Sequence, residues 1–260
     1  MIAQQNAAVL NDAAVRGFAI EPQAITHSYK TTERLPFRVK IVTNDEDLWK
    51  AVRLRQSAYA RHVPEFARQL EEPEVADREA GSVVLLAESK LDGSSLGTMR
   101  IQTNRYGPLE LEESVELPAW LQDCSLAEAT RLGVGEGSIG RVVTTALFKA
   151  YYLYCLDQGI DWMVITARKP LDRQYDMLMF QDVFEAGSLF PMHHVGDIPH
   201  RVMAFDVAAA RRRWTESKHP LLGFMCDIHH ADIDVQHDDF APFGGTIRTA
   251  NRFEELGSRA

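Results

Sequence analysis

The segment Leu126–Gly140, LAEATRLGVGEGSIG, constrains this chain more than any other. It runs from an apolar, strand-like stretch through a glycine-rich turn into an amphipathic helix, SIGRVVTTALFKAYYLYCLDQG, that ends at Gly159. A strand that feeds a helix through such a turn leaves backbone N–H groups unpaired at the helix start. The helix dipole adds partial positive charge there. The turn is therefore suited to an anion or a polarised carbonyl. Glu128 and Arg131 precede it, so a carboxylate, a guanidinium and backbone donors converge on one place.

The elements around this segment define a fold class. FRVKIVT alternates as a strand, and TNDE reads as a capping box with Thr43 as cap and Glu46 closing it, before the helix DLWKAVRLRQSAYARHV. That helix turns Leu48, Val52 and Tyr59 to one face and its arginines elsewhere. Residues 64–80 are acidic and irregular, as in a loop. SVVLLAES and GTMRIQT form a hairpin closed at Asp92-Gly93. IDWMVITA is a buried strand, Pro170 opens the helix LDRQYDMLMFQDV, and HRVMAFDVA is a last strand before an Ala/Arg helix ending near Lys218. Hairpins mixed with βαβ units predict an α/β (α+β) three-layer domain over 35–218, with a central mixed β-sheet flanked by helices. Residues 1–34 are expected as a partly ordered arm and 219–260 as a polar extension with no clear element.

Composition narrows the function. With 28 basic and 37 acidic residues the net charge is -9, which argues against nucleic acid as a partner. Three widely spaced cysteines, Cys124, Cys155 and Cys226, read as reduced thiols of a cytoplasmic protein. No stretch is long and apolar enough for a transmembrane segment. The His/Asp-rich stretch beyond residue 193 contains no metal-ligand spacing, and no metal is expected.

Three pieces of sequence resemble one known family. LWKAVRLRQSAYA is similar to its early helix, and VVLLAESKLDGSSLGTMRIQT to its hairpin with an arginine late in the second strand, here Arg100. EATRLGV is similar to its Glu-x-Ser/Thr-Arg strand, here Glu128, Thr130 and Arg131. The family is the GNAT acyltransferase superfamily, in the branch of acyl-homoserine-lactone synthases and N-acyl amino acid synthases, and the resemblance covers roughly residues 37–215. It implies transfer of a long-chain acyl group to an amine, with no cofactor beyond the thioester on phosphopantetheine, which is a co-substrate. GEGSIGR at 135–141 departs from the phosphate loop of acetyl-CoA-using members, and Glu136 is ill placed beside a pyrophosphate. This favours acyl carrier protein as donor partner and an amino acid as acceptor. A lactone-forming synthase and a non-catalytic acyl- or carrier-binding regulator are the alternatives.

The chemistry assigns expected roles. Backbone N–H groups near Val134 are candidate oxyanion donors. Glu128 is a candidate base, directly or through water, or else a structural partner of Arg100 or Arg131. Arg100, Thr130 and Arg131 are expected to bind the acceptor, the arginines through its carboxylate. Gly135, Gly137, Ser138, Ile139, Gly140 and Arg141 are expected to hold the acyl-pantetheine arm. The resemblance implies that Tyr175 protonates the leaving thiolate, against a plain packing role beside Leu171, Leu178 and Met179. Trp162, Met163, Met177, Met179, Phe180, Phe184, Phe190 and Met192 permit an acyl pocket. Arg53, Arg55, Arg61, Arg68 and Arg211 to Arg213 offer a surface for an acidic carrier.

Overall fold

The computed structural model describes residues 29–236 other than Ser138. Most of the expected arm, the end of the expected extension and the expected ligand Ser138 lie outside the described residues. In chain order the elements are β1 (Thr31–Glu33), β2 (Phe37–Ile41), α1 (Asp45–Ala60), α2 (Pro64–Ala67), β3 (Ser82–Ser89), β4 (Ser95–Thr103), α3 (Ala119–Gln122), β5 (Leu126–Val134), α4 (Gly140–Asp157), β6 (Trp162–Ala167), α5 (Asp172–Met177), β7 (Gln181–Asp182), β8 (Phe190–Met192), β9 (Ile198–Asp206), α6 (Ala210–Glu216), β10 (Ile228–His230) and β11 (Ile233–Asp234).

The main sheet has the order β11-β2-β3-β4-β5-β6-β9-β7, with β8 on β9. It is mixed: β5–β6 and β11–β2 are parallel, and the pairs between β2 and β5 are antiparallel. One face carries α4 and α6 over a core that includes Phe37, Val39, Leu85, Met99, Leu147, Tyr151 and Trp214. The other carries α1, whose Leu48, Ala51 and Val52 pack on Val42, Val84 and Leu86. A further apolar cluster on Leu126 and Val164 includes Phe66, Leu109, Leu111 and Leu121. This is the expected three-layer arrangement. Two glycines set the helix distances. A Cβ at Gly97 would lie 2.5 Å from Val143 Cγ1, and one at Gly133 would lie 3.1 Å from Arg55 Cα. Any larger residue pushes α4 or α1 off the sheet where the strands approach the site.

Local readings shift in several places. The cap of α1 is Asn44, not Thr43: its side chain accepts from the Asp47 amide at 2.9 Å. Arg55 is buried on α1 rather than solvent-facing, because Asp77 takes both its terminal nitrogens at 2.9 and 2.7 Å. The acidic segment 64–80, expected as a loop, holds α2 and a 3-10 turn at Val75–Asp77. The helix expected over 171–183 stops at Met177, and Gln181–Asp182 joins β9 instead. Past Lys218, where no element was expected, Ile233 pairs with Val39 at the sheet edge. Lys149 anchors this region from α4: its ammonium donates to Phe224 O at 2.7 Å, to Ile228 O and to His230 Nδ1.

Candidate active site

The site forms where two parallel strands part. β5 and β6 are paired from Leu126↔Trp162 to Ala129↔Ile165 and no further. Yet β5 continues to Val134 and β6 to Ala167. The cause lies on the other side of β5, where Thr98 faces Gly133 but Arg100 faces Thr130. Met99 thus opposes two residues, Arg131 and Leu132, which is a β-bulge, and a bulge bends its strand. Arg131 takes the left-handed conformation there, with φ 55°. For a side chain that costs about 1–2 kcal/mol. A bidentate pair with Glu74, at 2.8 and 2.7 Å, holds it in place.

The parted strands enclose a cavity of about 240 Å³, lined by residues that include Tyr59, Arg61, Leu132, Val134, Thr166, Arg168 and Tyr175. Val134 presents its peptide groups to this cleft. The Gly135 amide donates back to Leu96 O on β4 at 2.9 Å. Strand alternation turns the Val134 N–H and C=O to the opposite side, away from β4. The Val134 carbonyl there accepts from Arg61 Nη2 at 2.6 Å.

Tyr175 forms part of the facing wall. Its ring meets Phe148 edge-on at 5.3 Å and Phe180 at 5.7 Å. Its hydroxyl has no hydrogen bond to a described residue, and burial pushes its pKa above the ordinary phenol value. It is thus a neutral proton donor facing a cavity. Arg201 fixes the short helix that carries it, binding Asp172 at 3.2 Å and Asp176 at 2.9 Å on α5, and Asp182 at 2.8 Å.

Glu128, Thr130, Arg100 and Arg131 are brought together behind the cleft, not on its wall. Arg100 is fully buried and donates to Thr130 Oγ1 at 3.2 Å, Glu74 at 3.0 Å, Asp77 at 3.1 Å and Glu110. Arg131 donates through Nε and Nη2 to Glu74 and through Nη2 to His194 O at 3.0 Å, while its Nη1 is buried without a hydrogen-bond partner, 3.8 Å from Glu110. Its guanidinium lies 5.3 Å from the Phe66 ring, and Phe66 lines the cleft. The expected acceptor clamp is therefore occupied by internal acids. Glu74 and Asp77 belong to the acidic segment 64–80, expected as a loop, where the signal was acid spacing around a capping turn, Glu74-x-x-Asp77. Glu110 starts a 3-10 turn at Glu110–Glu113.

Glu128 pairs with neither arginine within salt-bridge distance. Its Oε2 accepts from the Leu111 amide at 3.1 Å, and its Oε1 is buried without a partner. Burial, with Glu110 adding to it, raises its pKa to about 8. Thr166 lines the cleft, and its Oγ1 lies 3.3 Å from His194 Nε2. His194 Nδ1 is itself buried and unpartnered. Burial, then the Arg131 charge, lowers the His194 pKa to about 3, so that ring is neutral.

Comparison with solved structures bears on the fold. FeeM, an N-acyl amino acid synthase from uncultured soil microbes, is similar over 73% of this chain and 97% of its own, at 22% identity and a TM-score of 0.56. BjaI, a CoA-dependent acyl-homoserine lactone synthase solved with SAM and isopentyl-CoA, is similar over 78% of this chain and 96% of its own, at 18% identity and a TM-score of 0.55. The chain carries a GNAT-like fold. No family model and no curated protein matches it by sequence.

In this GNAT-like frame the glycine turn lies between the cleft wall and α4. Gly137 takes φ 125°, and nothing lies within 4 Å of where its Cβ would be. Ile139 caps α4 without a side-chain hydrogen bond, Gly140 begins the helix, and the first turn carries no acid. Among the described residues no side chain caps the α4 N-terminus. Arg141 is exposed there, and Glu136 lies 3.8 Å from Arg61.

Two sets of residues named from the sequence are spread over several elements. The aromatic and methionine set is divided between separate cores: Met163 and Phe180 pack on one face, Met192 on the other, and Met177 is 66% exposed. Of the basic groups, Arg68 lies beside Glu65, Arg211 beside Asp227 and Arg212 beside Glu216.

Proposed function

We propose that the protein is an N-acyltransferase that moves a long-chain fatty acyl group from an acyl-carrier-protein thioester to the α-amine of an amino acid. The observation that carries this reading is the wedge between β5 and β6, with the peptide groups of Val134 on one wall and the Tyr175 hydroxyl facing the same space. An acyl-pantetheine arm enters as an extended chain between the parted strands, where unpaired strand backbone meets it. The acceptor amine attacks the thioester carbonyl. The Val134 N–H stabilises the oxyanion, and Tyr175 protonates the departing thiolate. Glu128 takes the amine proton through a relay, since it is behind the wall. The glycine turn and the α4 N-terminus, Gly135 to Arg141, hold the phosphate end of the arm.

Glu136 in that turn favours a single phosphodiester over a pyrophosphate, and hence a carrier protein over CoA. Cys124, Cys155 and Cys226 are free thiols, as suits the cytoplasm. Among the described residues no helix is long and apolar enough to cross a membrane. Lactone synthesis is the second reading, favoured by the comparable similarity to BjaI.

A structure with an unreactive acyl-pantetheine ketone tests the assignment. The expected result places the ketone oxygen about 2.7–3.1 Å from the Val134 nitrogen. An arm bound outside the wedge overturns it.

A further inference from the structure

Burial of Arg100 and Arg131 in an internal acid network leaves open which group receives the acceptor's carboxylate. The cleft lining itself supplies positive charge. Among the described residues it contains two arginines, Arg61 and Arg168, beside His62 and His200, and no aspartate or glutamate. In a chain of net charge -9 this is a local inversion of sign, and it makes the cleft selective for an anion.

The polar groups of the lining differ in what already holds them. Arg61 is engaged by the Val134 carbonyl at 2.6 Å and lies 3.8 Å from Glu136. His200 Nδ1 sits 2.7 Å from Ile198 O, and burial keeps its ring neutral. Arg168 pairs with no carboxylate among the described residues. Its hydrogen bond to a described residue is a long one, 3.4 Å to its neighbour's carbonyl, Lys169 O. It directly follows β6, at the open end of the wedge.

We propose that Arg168 is the residue that binds the carboxylate of the amino-acid acceptor, a reading that rests on the acyltransferase function given above. A guanidinium takes a carboxylate through two parallel charge-assisted hydrogen bonds, which fixes the neighbouring amine as well as holding the charge. A donor phosphate is the other anion in the reaction. It is placed at the start of α4, where Arg141 stands, beyond the Val134 wall. Arg168 follows the opposite strand. The two anions therefore meet different cations, and Arg168 sets specificity for acceptors bearing a free carboxylate over simple amines.

Calorimetric titration with N-dodecanoylglycine and its methyl ester, for wild type, Arg168→Met and Arg168→Lys, tests this. The wild type is expected to bind the free acid about 10- to 100-fold more tightly than the ester, the range for a charge-assisted pair. Arg168→Met should abolish that preference without changing ester affinity, and Arg168→Lys should retain part of it. Ester binding in each variant also reports an intact cleft. A preference that survives in Arg168→Met overturns the assignment. So does a parallel titration in which Arg168→Met loses affinity for 4′-phosphopantetheine relative to pantetheine, which would place the phosphate at Arg168. Failure of the wild type to bind either dodecanoyl compound overturns the acyltransferase reading and this site with it.

Discussion

Replacing Arg100 with methionine is expected to lower folding stability by about 3–5 kcal/mol, the cost of removing one partner from a buried ion pair. The side chain is completely buried, and its nitrogens meet Glu74, Asp77, Glu110 and Thr130. Methionine fills part of the volume but leaves those carboxylates short of a counter-charge in a dry site. Burial alone would raise the pKa values of Glu74 and Asp77. The hydrogen bonds and charges of Arg131, Arg55 and Arg100 outweigh it and hold both below the usual carboxylate range. Groups depressed in the fold give stability above their unfolded pKa and lose it as pH falls. The wild type should therefore weaken on acidification below about pH 4, and the variant should lose less there because less remains to lose. Denaturant titration at pH 7 and pH 3 measures both effects. Unchanged stability at pH 7, together with a raised KM for the acceptor, would mean that Arg100 is a substrate clamp after all.

Glu128→Gln is expected to produce the second large effect, with opposite pH dependence. The carboxyl ordinarily titrates near 4.5 and in the fold near about 8. Between these values the unfolded chain has released its proton and the folded chain has not. Wild-type stability therefore declines as pH rises through this window, by up to about 1.4 kcal/mol per unit. Glutamine cannot ionise, so the variant should lack this decline and be the more stable protein at pH 8. The same group serves the reaction only when ionised, so kcat/KM of the wild type should rise toward pH 8. Glutamine should cut kcat by about 10²–10⁴ and remove that rise. Wild-type turnover in the variant would leave Glu128 with a structural role alone. Stability curves and pH–rate profiles from the same preparations separate the two.

The order of strands and helices was legible because it rests on local chemistry. The Asp92-Gly93 turn, the β-branched run WMVITA and Gly159 beyond α4 each act within a few residues, and each appears where its residues require. The network was only half legible. Arg100, Glu128 and Arg131 stood out as charges in apolar strands, which need partners. Those partners, Glu74, Asp77 and Glu110, lie in irregular segments with no periodicity to place them. The cleft was the least legible part. It depends on a bulge at Arg131, a backbone event with no glycine to mark it, and on residues at the ends of elements, such as Arg61 after α1 and Arg168 after β6. Short-range patterns report what an element is made of. They do not report which element ends will face each other across a gap between strands.

Product analysis tests the acyl transfer itself. The purified protein is incubated with a long-chain acyl carrier protein and pooled amino acids, with and without S-adenosylmethionine, and the products are resolved by mass spectrometry. An N-acyl amino acid is expected, formed without the sulfonium compound and reduced in Arg168→Met. An acyl lactone as the sole product, or no product despite tight binding of the carrier, would contradict it.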